Sequence, residues 1–175
     1  LISQNGVTSQ FDLSATGGDG RLTYYISAGL FDQEGNVKEQ FFTRYSSRVN
    51  ISAQITDRFR IANNLSVSKT EQNGINDGSA WEAPFYMAVF MPPVLPIRDE
   101  EGDWYNKHRN IMGANHPLGG LYENPKWRDT NRVIDNITGT FELSDKFTIA
   151  TAWSFDLYEI HDYVFQNARF GDGRN

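Results

Sequence analysis

The sequence contains no cysteine, which excludes a disulfide framework, thiolate chemistry and zinc held by thiolates. Positive charge is scarce. Sixteen Lys and Arg stand against 22 Asp and Glu, a formal net charge of −6, whereas a nucleic-acid binder presents a basic patch. The three histidines, His108, His116 and His161, are scattered without metal-ligand spacing such as His-Glu-x-x-His. No Gly-x-Ser-x-Gly elbow, P-loop or dinucleotide fingerprint is present, and nothing selects a carboxylate pair to flank a glycosidic bond. No catalytic residue, metal site or cofactor is therefore expected, and the chain reads as a non-enzyme. Long apolar runs are missing as well. No window approaches the ~18 apolar residues that mark a membrane-spanning helix. The start, Leu1-Ile2-Ser3-Gln4-Asn5-Gly6, has neither the basic nor the apolar region of a secretion signal, and reads as a processed or excised end.

What is present is alternation. Mean hydropathy is low, −0.54, yet aromatics make up 14% of the 175 residues. This balance suits a sheet with one apolar and one polar face. Val7, Phe11, Leu13 and Ala15 alternate with Thr8, Gln10, Asp12 and Ser14. Tyr45, Val49, Ile51, Ala53 and Ile55 alternate with Arg44, Ser46, Arg48, Asn50, Ser52 and Gln54. Successive strand side chains point to opposite faces, so each run is a two-faced strand. Six strands are expected, near 7–16, 22–31, 42–56, 59–68, 133–143 and 147–158. Asn63 interrupts the apolar face of the fourth and Thr151, more mildly, that of the sixth. Short connections at Gly17–Gly20, Thr56–Arg58 and Ser144–Lys146 alternate with longer ones at Asp32–Gln40 and about 69–132. Transmembrane barrels alternate tight periplasmic turns with long extracellular loops, and strands of about ten residues suffice to cross a bilayer at a tilt. The expected fold is all-β, antiparallel hairpins forming part of a transmembrane barrel wall, with one long extracellular loop. Within that loop, Ser79-x-x-Glu82 has the spacing of a capping box, and Pro92-Pro93 would end the short helix it starts.

The order of short motifs resembles a known family. The stretch Leu13–Lys38, LSATGGDGRLTYYISAGLFDQEGNVK, joins a strand ending in Gly-Gly, a tight turn, a Tyr-Tyr strand and an Asp-Gln-Glu-Gly hairpin. The continuation Phe41–Gly74 carries Arg-Tyr-x-x-Arg-x-Asn and a Thr-Asp turn, and the loop carries His116-Pro117-Leu118. Together these resemble the barrel of the SusC/RagA-type TonB-dependent outer-membrane transporters, over nearly the whole chain. Asp19 departs from the family pattern, which often has Thr or Ser after Gly-Gly. The resemblance implies a 22-stranded barrel with a plugged lumen, of which this chain is a fragment, in the outer membrane of a Gram-negative bacterium. It implies import of glycans or oligosaccharides, or of peptides, with a SusD-like surface lipoprotein. Contact with the TonB complex would run through an N-terminal region absent from this sequence.

Two groups of candidate residues follow. Arg44, Arg48, Asn50, Gln54, Arg60 and Asn64 share the polar face and are expected to line the lumen and meet the plug. A plain solvated sheet face is the alternative. Trp81, Tyr86, Trp104, Tyr105 and Trp127 offer flat faces for substrate in the long loop, or simply fold that loop on itself. Asp99–Asp103 is oxygen-rich enough to suggest calcium, but a solvated turn explains it as well. Two rival folds stay open from the residues alone: a soluble β-sandwich with a tryptophan platform for carbohydrate, and a β-rich glycoside-processing domain.

Overall fold

The computed structural model describes residues 2–73, 83–105 and 116–168. In chain order the elements are β1 (Thr8–Gly18), β2 (Leu22–Glu34), β3 (Phe41–Thr56), β4 (Phe59–Asn73), α1 (Pro84–Phe90), α2 (Pro117–Glu123), β5 (Lys126–Ser144) and β6 (Phe147–Val164). The strands form one antiparallel sheet in the order β1-β2-β3-β4-β5-β6, every neighbour in space being a neighbour in sequence. This meander excludes a sandwich, which needs two packed sheets.

The register assigns the faces. Ala15, Ile26, Val49, Leu65, Asp135 and Phe155 are successive cross-strand partners, as are Thr16, Tyr25, Asn50, Asn64, Asn136 and Ser154. The first row is apolar but for Asp135, and the second is polar. Among the described residues nothing packs on the apolar face. Leu13 is 77% exposed, Trp153 74% and Phe155 70%, while the buried apolar residues number only four among those described: Ile2, Val37, Met87 and Leu118. An unpaired apolar face of this extent is untenable in water and suits hydrocarbon. From Leu143 to Val133 on β5, or Phe147 to Leu157 on β6, the apolar stretch is ten residue steps. At ~3.4 Å per residue and a tilt of ~40°, this gives a belt about 25 Å tall.

Short turns close one end. Asp57-Arg58 and Asp145-Lys146 are the turns of β3–β4 and β5–β6, each beside a register shift, at Gln54/Thr56 and Glu142/Ser144. The β1–β2 turn depends on Gly18. Its φ of +150° and the Leu22 carbonyl, 2.2 Å from where a Cβ would sit, leave no room for another residue. Asp19 then organises the turn, its Oδ1 accepting from the N–H groups of Arg21 at 2.7 Å and Leu22 at 2.8 Å. Those two donors, Arg21 first, hold the Asp19 carboxyl below its ordinary range.

At the other end the strands outrun the alternation. β4 continues to Asn73 and β5 begins at Lys126 rather than near 133, so the segment between them is 74–125. Above the belt both faces are polar and no hydropathy period marks a strand. On the apolar side, Val67 and Val133 give way to Lys69 and Asn131, then Glu71 and Asp129. The β2–β3 connection is clamped by the first residues, with Ile2 and Val37 buried together and Ser3 bridging Val37. Among the described residues the long segment holds two helices rather than one. α1 starts at Pro84 with Ala83 as its N-cap and no side-chain cap, so the helix begins after the expected capping box; Ser79 and Glu82 lie outside the described residues.

Asn63 finds its reason in Asp135, one diagonal step away on the same apolar face, to which its Nδ2 donates. Each polar group would be costly in hydrocarbon alone. Together they share one hydrogen bond, which offsets part of that cost.

Two outcomes follow from this arrangement. In the assembled protein in phospholipid, Leu65→Arg at mid-belt is expected to cost about 2–4 kcal/mol. Ser66→Arg, adjacent in sequence but on the opposite face, should change stability by less than about 0.5 kcal/mol. Equal losses in denaturant unfolding would undo the assignment of faces, and a larger loss at Ser66 would reverse it. At the Asp19 turn the folded-state pKa is depressed. Its stabilisation is therefore present above the unfolded carboxylate value and lost as pH falls through the folded one. Amide-exchange protection of Leu22 should drop in that acid range, and Asp19→Ala should remove the pH dependence.

Candidate functional site

All six expected lumen residues lie on the polar face. Along β3, Arg44, Arg48, Asn50 and Gln54 are even-numbered positions, and β4 answers with Thr70, Ser66, Asn64 and Arg60 opposite them. Gln54 Oε1 accepts from Arg60 Nε at 2.8 Å, and Asn50 faces Asn64. Arg44 lies over the Phe31 ring at 5.6 Å, and Phe31 meets Phe42 edge-on at 5.9 Å. An aromatic–guanidinium cluster thus stands on this face near its long-loop end.

The same face carries a second cluster that hydropathy does not mark. Arg128 grips Asp162 with both nitrogens of its fork, Nη2 to Oδ2 at 2.9 Å, and Arg132 grips Asp156 at 3.1 and 2.7 Å. Arg132 lies also over Tyr158 at 5.8 Å. The planar guanidinium fork matches a carboxylate edge bidentately, but these side chains are about half exposed, and exposed pairs add little to stability. Their effect is to hold two forks in fixed positions on β5. The sequence signal was spacing: Arg128 and Arg132 share a parity, as do Asp156 and Asp162. Between the clusters the face is neutral and hydrophilic, with Ser46, Ser68, Thr70, Gln72 and Thr130 in adjoining rows.

The five loop aromatics do not form one platform. Trp81 lies outside the described residues. Trp104 is occupied: it stacks with His116 at 5.4 Å and with Tyr122 at 5.8 Å and 4°, and Arg98 sits 3.6 Å from its centroid. Its Nε1 donates to Glu123 at 2.9 Å, and Glu123 accepts from Asn167 at 2.7 Å, tying α2 to the chain beyond β6. His116 is fully buried and caps α2, its Nδ1 accepting from Leu118 and Gly119. Tyr86 packs on Phe90 within α1 at 4.5 Å, and the Tyr105 amide donates to Ile97. Trp127 corrects the loop reading most clearly. It is a strand residue of β5, opposite Asn73 and Tyr163 on the same side of the sheet as the apolar belt, stacked on Tyr163 at 5.3 Å, and so points away from the face that carries the six arginine and amide candidates. The Asp99 carboxylate is turned onto its own backbone, accepting from Glu101 and Asp103, as in a solvated turn.

This arrangement can be set beside known proteins. No protein-family model matches the chain. TonB-dependent receptor P26 of Formosa agariphila is 26% identical over 148 residues, 83% of this chain and 14% of the receptor. TonB-dependent receptor P3 of the same organism is 29% identical over 161 residues, 88% and 16%. TonB-dependent receptor SusC of Bacteroides thetaiotaomicron is 25% identical over 130 residues, 74% and 12%. In fold, the chain superposes on the RagAB peptide importer in its closed-closed state with a TM-score of 0.74 and 23% identity, covering 93% of this chain and 19% of that one. The chain is related to the SusC-type TonB-dependent receptors. It is a stretch of transmembrane barrel wall and not an enzyme, and its place is the outer membrane of a Gram-negative bacterium. It spans only about a seventh of the length of the curated relatives it matches. The SusC-like wall has an apolar belt on one face, a polar face opposite, and its longest connection at the end away from the tight turns.

The Trp104 stack is the anchor of the outer segment. Trp104→Ala should release α1 and α2 while leaving the strand ladder intact. Limited proteolysis of the assembled receptor should then cut within residues 83–124, with β4 and β5 still protected; resistance equal to wild type would show that the stack is dispensable.

Proposed function

We propose that this chain is wall and outer-cavity lining of a TonB-dependent importer of hydrophilic oligomers, glycans or oligosaccharides first and peptides second, working with a SusD-like surface lipoprotein. The observation that carries the reading is the upper lumenal face. Neutral hydroxyl and amide rows lie between an aromatic–arginine cluster at Phe31, Phe42 and Arg44 and the paired forks at Arg128 and Arg132. Such a surface offers many weak hydrogen bonds and few deep pockets, which suits a solute that must bind and then leave. Arg48 and Arg60, lower on the same face, are placed to meet acidic groups of a plug. The outer segment around Trp104 would shape the cavity mouth, by packing rather than by exposing a sugar platform.

In this mechanism the lipoprotein captures the oligomer and closes over the barrel. The TonB complex, engaged through the receptor's N-terminal region, then disturbs the plug and opens a path along the polar wall. The peptide reading draws support from the RagAB peptide importer, whose fold this chain shares.

Uptake tests it. A strain lacking the receptor should fail to grow on one oligosaccharide or peptide pool and recover with the wild-type gene, in a TonB-dependent manner. Reversing Arg44 and Arg132 to Glu should reduce that uptake strongly while the receptor still inserts. Undiminished, TonB-independent growth on every pool would refute the importer reading.

A further inference from the structure

Above the belt, the outward face carries a feature that transport does not use. Going up β5 from Val133, the last apolar residue, the outward positions are Asn131, Asp129 and Trp127. Trp127 is six residues above the belt, about 20 Å along the strand and about 15 Å in height at the usual tilt. Its ring and that of Tyr163 stack at 5.3 Å and 20°, yet remain 42% and 45% exposed. Interfacial tryptophan and tyrosine normally sit at headgroup level. A phospholipid headgroup layer is only ~5–8 Å deep on each side of the hydrocarbon, so this pair stands clear of it. The surface is nevertheless continuous with the lipid-facing belt, because both lie on one side of the same strands. Whatever lipid meets the belt in the outer leaflet continues upward past this pair only if its headgroup is long.

We propose that Trp127 and Tyr163 form a stacking surface for the saccharide of an outer-leaflet glycolipid. The two flat π faces suit the C–H side of a pyranose ring, since the aromatic face carries the negative end of the ring quadrupole. The row beneath them carries Asp129, Glu71 and His161, with Lys69 on Glu71 at 2.6 Å and Glu159 on His161 at 3.1 Å, so it offers paired polar groups to sugar hydroxyls and no free cluster of cations for a phosphate. Recognition there is of neutral sugar rather than of a charged headgroup. This surface is on the opposite side of the sheet from the importer's lumenal rows, and it rests on the outer-membrane placement alone.

Hydroxyl-radical footprinting of the intact receptor, read residue by residue, tests the assignment. Oxidation of Trp127 and Tyr163 is expected to be several-fold slower in native outer membranes than in phospholipid nanodiscs. Nanodiscs supplemented with full-length lipopolysaccharide should restore the protection; those supplemented with lipid A alone should not. Equal reactivity in every bilayer would overturn the proposal, since no sugar then covers the pair. Equal protection in every bilayer would also overturn it, by showing that protein covers it instead. Protection by lipid A as complete as by the full glycolipid would place the contact at the headgroup and refute the saccharide. Trp127→Ala should lose the protection of Tyr163, whereas Tyr163→Phe, which keeps the stacking ring, should retain that of Trp127.

Discussion

The backbone ladder is the constraint on which everything else depends. In hydrocarbon no water is present to satisfy an N–H or C=O, so each strand must give its hydrogen bonds to its neighbours. The unbroken meander does this for β2 to β5 on both edges. Once the ladder is set, the register is set, and with it the identity of every face, because a slip of one residue would turn arginines to lipid and leucines to the lumen. The rows Ala15–Ile26–Val49–Leu65 and Thr16–Tyr25–Asn50–Asn64 are the visible result. Side-chain packing contributes little by comparison. Among the described residues the buried apolar set is confined to the Ile2–Val37 clamp and the Met87 and Leu118 region of the helices.

This division of labour explains what could be read from the residues. Within the belt, solvent on one side and lipid on the other impose a strict period of two. The six strands, their short turns and the polar face that carries Arg44, Arg48, Asn50, Gln54, Arg60 and Asn64 were all legible there. Outside the belt both faces meet water, the selection for alternation disappears, and the strands continue invisibly. That is why Trp127, Arg128 and Arg132 read as loop, and why the paired forks on Asp156 and Asp162 were missed although their parity was correct. The second helix was hidden for a related reason. α2 is seven residues of Pro-Leu-Gly-Gly-Leu-Tyr-Glu, too short and too glycine-rich to carry a helical period. It is held by the His116 cap and the Trp104 stack, which are tertiary facts.

Asn63 shows the limit of reading one strand at a time. Alone it is an error on an apolar face; with Asp135 from the next strand it is half of a hydrogen-bonded pair. The partner is 72 residues away in sequence and becomes adjacent only through the register of β4 on β5. Polar residues inside a membrane belt are tolerable when they satisfy one another, and the unit of tolerance is the cross-strand pair.

The two ends of the sheet are built to different standards, and the difference has a functional logic. At the short-turn end, bulges and Gly18 fix the chain tightly, since little is asked of that rim except closure. At the long-loop end the strands rise past the lipid, and their faces become two separate surfaces with separate chemistry. The polar one carries guanidinium forks and neutral hydroxyls. The other carries a charged row and then a stacked aromatic pair. A barrel wall that merely crossed the bilayer would need neither. The extra six or so residues on β4, β5 and β6 therefore extend both the cavity and the rim. α2 is tied through Glu123 and Asn124 to Asn167, just beyond the top of β6.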